Sequence, residues 1–378
     1  MRPRVARPDR RTHAGRDALE LFVLAPEPDS AGASLVASFR NARVLAPFPR
    51  RGGEAGARWQ RIIRAHEKTL AFLDGRAPAM PDAKELRALG RDLFETLLPG
   101  DVRRLYDSAR SLQPDGILDV VLTSMIDWVA DKPWELAFDP ARREFLATSC
   151  VNIVRNVFTA VPAERPARRA GRLRVLVVSS RPHGLPPVAA REETARLRAA
   201  FRELVDAGLA RIEPLPRATP EKLQRRLAEG RVDVLHFIGH GAFDAERNEG
   251  SVLMEDATGR PRPLAFESFR QIVCRRGLRL VFLNACETGR GGRSDWNRGV
   301  APALLAAGLP AVVANQYSVL DAAATAFAAD FYAQLARGKA LADAAREARL
   351  AVGREQGTSG IDWAVPVLFA RDPREALR

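Results

Sequence analysis

Lysine is nearly missing from this sequence, with five residues against 54 arginines in 378. That imbalance, together with abundant alanine, is what a GC-rich coding bias produces. It weakens the nucleic-acid reading that the net charge of +13 would otherwise invite. The arginines are spread over predicted helices instead of alternating with aromatics, apart from the tail MRPRVARPDRRTHAGR, so a nucleic-acid partner is a minor reading. Cysteine is also scarce. Cys150, Cys274 and Cys286 show no C-x-x-C spacing, which supports neither a disulfide framework nor a zinc site, and no metal or cofactor is expected. Cys150 and Cys274 have apolar neighbours and are expected to be buried small hydrophobes. No apolar run reaches the ~18 residues of a membrane span. The stretch LELFVLA is interrupted by Glu20 and closed by Pro26, so it is not expected to act as a signal peptide. The expectation is a soluble cytoplasmic protein with no membrane partner. Neither a P-loop nor a G-x-S-x-G pattern occurs.

What remains is an ordinary globular composition, 46% hydrophobic and 7% aromatic, in a chain long enough for two or three cored domains. Residues 1–16 read as a disordered basic tail. Residues 17–161 read as a smaller α+β domain. In it, DALELFVLA and ASLVASF alternate as strands, Trp59, Ile62, Ile63, His66, Leu70 and Leu73 recur at helical spacing, and GILDVVLTS is a further strand. Asp82 with Glu85 three residues on predicts a capping box, ahead of the stripe Leu86, Leu89, Leu93, Leu97. Trp134 and Glu135, at a helix start, are expected to pack and cap. Residues 162–171 read as a Pro/Ala/Arg linker. From 172 to 378, strands such as LRVLVVSS, VDVLHFIG, LRLVFLNAC and LPAVVANQ alternate with helices at 192–209, 220–229, 299–307 and 321–336. That order implies parallel crossovers and a doubly wound α/β sheet, with ligands at the carboxyl ends of the strands. The strands of the first part are expected to extend this sheet or pack on it.

Two strand ends stand out. VDVLHFIGHGAFD carries His240 between two glycines just past an apolar strand, and His236, two pleats behind on the same face, is expected to be buried. Forty-six positions after His240, RLVFLNACETGRGG delivers Cys286 from a second such strand. A cysteine with a histidine about 50 residues upstream is the spacing of caspase-type cysteine proteases. A thiol with pKa near ~8.5 is mostly neutral at cytoplasmic pH, and a nearby imidazole raises its thiolate fraction. Gly289, Gly291 and Gly292 would let the following loop adapt.

The sequence resembles the CHAT domain, a caspase/separase-like peptidase family of clan CD, over roughly residues 80 to 370. The residues that carry the resemblance are HFIGHG, LNACETG, AVVANQYSVLDAAATAFAADFYAQLARG, the VLVVSS…E opening of the first core strand, KPWELAFDP and VRNV. It implies a caspase-like, mostly parallel sheet flanked by helices and a cysteine endopeptidase with Cys286 as nucleophile and His240 as its partner. Backbone N–H groups of Gly241 and Cys286 would form an oxyanion hole. It further implies a dedicated protein substrate encoded nearby, a regulatory protein partner, and a place in bacterial signalling, defence or cell death. A catalytically silent CHAT scaffold is the alternative. Family members often carry long repeat arrays, and no 34-residue period is visible here.

In separase-like relatives an acid after the strand that follows the cysteine lines the S1 pocket and pairs with a basic residue ahead of the scissile bond. SVLD places Asp321 at that position, against the plainer reading of Asp321 as a helix N-cap. Asp295, in GRSDWNRG, is a second substrate-binding candidate.

Overall fold

Segments dense in Val, Leu and Ile form the centre of the sheet, buried on both faces as parallel strands covered by helices require. A computed structural model describes residues 16–25, 32–49, 53–73, 76–124, 126–159, 171–244, 249–274, 277–287, 296–317, 321–356 and 360–377. The sequence calls on the tail and on the linker fall almost wholly outside the described residues.

The first part contains strands β1 (Leu19–Leu24), β2 (Gly32–Phe39) and β3 (Ala42–Pro49), then helices α1 (Gly53–Leu73), α2 (Ala83–Leu97) and α3 (Gly100–Ser111). Strand β4 (Leu118–Ser124), the short α4 (Asp127–Ala130), the two-residue strands β5 (Phe138–Asp139) and β6 (Glu144–Phe145), and β7 (Val151–Asn156) follow. The capping box is present: the Asp82 side chain accepts from the Glu85 N–H and the Glu85 side chain accepts from the Asp82 N–H. The leucine stripe of α2 is buried.

The second part runs β8 (Leu173–Ser179), α5 (Ala190–Ala200), α6 (Arg202–Asp206), β9 (Ala210–Pro216), α7 (Pro220–Glu229), β10 (Val234–Asp244), β11 (Glu249–Glu255) and β12 (Pro261–Ala265). It continues with α8 (Phe266–Val273), β13 (Leu280–Glu287), α9 (Trp296–Ala306), β14 (Ala311–Asn315), α10 (Asp321–Ala336), α11 (Leu341–Gln356) and β15 (Pro366–Ala370). The single helix expected over 192–209 is two helices, broken at Phe201, whose ring is fully buried. Leu209 then leads into β9, a strand that its two prolines obscure in the sequence.

Strands β9, β8, β10, β13 and β14 lie side by side and parallel in that order. Relative to the chain this is 2-1-3-4-5, so the topological switch point lies between β8 and β10. The hairpin β11–β12 adds to β10 antiparallel. On the other side, β15 runs antiparallel to β14 and parallel to β7. Strands β4 and β1 then continue in parallel, and β2 and β3 antiparallel, so both parts share one sheet of 13 strands among the described residues. The fold is mixed α/β, with a central, mostly parallel sheet flanked by helices.

One face packs on α5, α10 and α11 around Phe282, Phe327, Phe331 and Tyr332. The other packs on α7, α8 and α9 around Phe237, Phe269 and Leu304. Helix α10 is apolar nearly all round because it lies between the sheet, α5 and α11. Two cysteine expectations are corrected: Cys150 is exposed, in the turn ahead of β7, and Cys274 is only half-buried, just past α8. Local apolar neighbours did not predict burial because both residues lie outside the regular elements. Among the described residues no helix is long and apolar enough to cross a membrane.

Candidate functional site

Strand β10 changes neighbour part-way along. Val234–Ile238 pairs with β8, whereas His240–Asp244 pairs on that same side with β11, and Gly239 lies at the handover. A Cβ at position 239 would come within 2.9 Å of the Phe237 ring and 3.3 Å of the Ser180 carbonyl oxygen, so any larger residue would have to displace the buried Phe237 ring. The next residue is His240, at the crevice where β8 ends.

His240 is 4% exposed, and its Nε2 lies 2.9 Å from the carbonyl oxygen of Pro186, in the loop between β8 and α5. A carbonyl only accepts, so Nε2 carries the hydrogen. The proline-bearing segment Leu185-Pro186-Pro187 thereby sets the tautomer and orientation of the ring.

Strands β10 and β13 run parallel with the register His236 to Phe282, Ile238 to Asn284, His240 to Cys286 and Gly241 to Glu287. Neighbouring strands are ~4.8 Å apart. The structure therefore brings the backbones of His240 and Cys286 together as direct register partners. Gly241 is the last residue of β10 paired with β13, and on the other side it pairs with Val252.

Beneath this pair lies a buried polar chain, of which the sequence singled out only His236. His236 is fully buried. Its Nδ1 is 3.0 Å from the Tyr332 hydroxyl and its Nε2 2.8 Å from Glu193 Oε1. Glu193 Oε2 accepts from Asn284 Nδ2 at 2.8 Å, and Asn284 Oδ1 accepts from Asn315 Nδ2 at 3.0 Å. Burial first, and then the Glu193 carboxylate, push the Tyr332 phenol well above its ordinary range, so it remains a hydroxyl donor. The buried position of His236 agrees with the period-two expectation. Glu193 and Asn284 carried a usable signal: Asn284 precedes Cys286 by two, hence on one strand face, and Glu193 lies in the first turn of a helix at the sheet's carboxyl edge.

A second buried group ties the first part to the segment after β14. Arg155 of β7 holds both oxygens of Glu135 in an ion pair and donates from Nη2 to Gln316 Oε1 at 3.0 Å. Gln316 Nε2 donates to Glu135 Oε2 at 3.1 Å and to the Ala364 carbonyl at 2.9 Å. His66 of α1 reaches the Tyr317 hydroxyl at 2.9 Å. Trp134 packs beside Phe48 and Trp59, as expected. Glu135, however, is no cap: its carboxylate is drawn inward by the buried Arg155, a partner 20 positions away that local sequence does not reveal.

Asp321 is the first residue of α10, and nothing further is described of its side chain. Asp295, Gly289, Gly291 and Gly292 lie outside the described residues. Among the described residues no group of three or more His, Cys, Asp or Glu side chains could hold a metal ion.

The fold defines an α/β protein in which adjacent parallel strands, beside the switch point, carry His240 and Cys286 as backbone register partners. The CHAT domain family model matches residues 87–371, and the chain belongs to the CHAT domain family. No curated protein matches the sequence. Among solved structures the chain is similar to the Arg-specific cysteine proteinase gingipain R (RGPB), at 11% identity and TM-score 0.48, covering 84% of this chain and 76% of that chain. It is similar to Saccharomyces cerevisiae separase in its complex with securin, at 12% identity and TM-score 0.47, covering 93% of this chain and 30% of that chain. The complex of Porphyromonas gingivalis RgpB pro- and mature domains gives 13% identity and TM-score 0.48, over 83% of this chain and 78% of that chain.

Proposed function

We propose that the protein is a cysteine endopeptidase in which Cys286 and His240 form the catalytic dyad. The observation that carries this reading is the direct register pairing of the two residues on β10 and β13, beside the switch point, with His240 Nε2–H held by Pro186. With that hydrogen fixed, Nδ1 is the nitrogen that exchanges a proton with substrate. The Cys286 thiolate attacks the peptide carbonyl carbon, the C–N bond breaks, and imidazolium Nδ1–H protonates the leaving amine. Nδ1 then takes a proton from the water that hydrolyses the thioester, releasing the acid and regenerating the pair.

Backbone N–H groups of Gly241 and Cys286 receive the developing oxyanion, each such donor being worth ~3–4 kcal/mol. The place of Gly241 at the end of its ladder with β13 favours that role. The substrate class is protein, and Asp321 selects a basic side chain ahead of the scissile bond. Candidate proteins encoded beside this gene, incubated with wild type and with Cys286→Ala, provide the test. Cleavage of one by wild type alone supports the reading, and identical products from both proteins refute it. The near-complete burial of His240 favours a second reading, a silent CHAT module that transmits a binding signal. That reading predicts no cleavage with any candidate, and tight binding that Cys286→Ala retains.

A further inference from the structure

Glu193 lies in the first turn of α5, directly after the loop whose Pro186 carbonyl fixes His240. It is 2% exposed, and its two oxygens reach different strands: Oε1 to His236 on β10 and Oε2 to Asn284 on β13. Asn284 is two residues, ~7 Å along the strand, ahead of Cys286. One carboxylate thus joins the strand of His240, the strand of Cys286 and the helix behind the loop that orients the imidazole.

We propose that Glu193 is a positioning residue: by bridging His236 and Asn284 it anchors α5, and through α5 it holds the Pro186 carbonyl where it fixes the Nε2–H tautomer of His240. The benefit to chemistry rests on the Cys286–His240 reading, whereas the geometric consequence does not require turnover. The bridge works in one hydrogen-bond direction. A carboxylate only accepts, so Asn284 Nδ2–H and His236 Nε2–H both donate to it, and His236 Nδ1 accepts from the Tyr332 hydroxyl. Reach, and not merely polarity, is what the bridge needs, since it spans two strands from a third element.

Two substitutions separate reach from charge. Glu193→Gln keeps the length: its amide oxygen accepts from Asn284, and its NH2 donates to His236 Nε2 once His236 turns over to the Nδ1–H tautomer and donates to Tyr332. Glu193→Asp keeps the charge but is one methylene shorter and cannot bridge both strands. The readout is the ring 15N spectrum of the five histidines in the full-length chain, with thermal stability measured alongside.

In wild type, His240 is expected as the Nε2–H form. In Glu193→Gln, His240 keeps that form while His236 inverts. In Glu193→Asp, His240 loses it and averages between tautomers. Cys286 alkylation at pH 6.5 should fall in Glu193→Asp, by about tenfold for each unit by which its thiol pKa rises. A folded Glu193→Asp protein of lowered stability whose His240 spectrum matches wild type overturns the proposal, since a purely structural residue behaves that way. If Cys286 is an ordinary thiol in wild type while Glu193→Asp still releases the His240 tautomer, the peptidase reading fails and the positioning role stands.

Discussion

The imidazole of His240 donates its Nε2 hydrogen to the carbonyl of Pro186 across 2.9 Å, on the strand whose register sets His240 opposite Cys286. Cys286→Ala and His240→Ala are therefore each expected to abolish cleavage and leave the fold intact, because members of a catalytic unit fail together and not additively. Activity assays with circular dichroism check this. His236→Ala is the control. It removes a buried ring bonded at both nitrogens, so it should lower stability more than it lowers the activity of the folded fraction. A stable but inactive His236→Ala protein would reverse the roles of the two histidines.

Arg155 and Glu135 form a buried pair, their side chains 6% and 0% exposed. Replacing Arg155 alone by Met removes the ion-pair partner of the buried Glu135 carboxylate and should cost ~3–5 kcal/mol, whereas replacing both by apolar residues should recover much of the loss. Denaturant midpoints of the two single variants and the double variant measure it. A loss in the double variant equal to the sum of the two single losses would show that the pair is not coupled.

Strand β15 lies between β14 and β7, so a chain begun at about residue 165 would expose the flank of β15 and remove the partners of Gln316 and Tyr317. Such a truncation is expected to be insoluble or inactive. Solubility with normal cleavage would mean that the two parts are separate modules.

At Asp321 the pocket and cap readings diverge under Asp321→Asn, since asparagine caps nearly as well as aspartate but carries no charge. Under the pocket reading, cleavage after arginine collapses while the melting temperature barely moves. If both stay near wild type, Asp321 is only a cap. A wild-type preference for Asp or an apolar side chain would also dispose of the pocket.

Much of this site was legible in the sequence because it depends on local signals. Apolar runs marked β10 and β13, and the alternation of strands with helices gave the parallel core, but β10 continues through His240 to Asp244 by pairing with β11, so His240 lies within the strand and not past its end. The hidden parts are non-local. Strands β9 and β12 carry prolines at edge positions and do not read as strands, and β15 and β7 are recognisable only once they pair. Glu193, Asn284 and Tyr332 come from three separate elements, and Glu135 meets Gln316 across 181 positions. Buried polar partners of this kind leave no periodic trace.

The central claim, that His240 activates Cys286, is tested most directly by the rate of Cys286 alkylation as a function of pH, read peptide by peptide in wild type and in His240→Ala. Cys274 is an internal reference. Burial pushes its thiol up to about 11, because the thiolate is the form disfavoured out of water, so its labelling should rise only as the pH approaches that value. Wild-type Cys286 should label with an inflection below pH ~7, moving to the ordinary thiol value near ~8.5 in His240→Ala. Superimposable Cys286 profiles in the two proteins, both inflecting near ~8.5, would contradict the account.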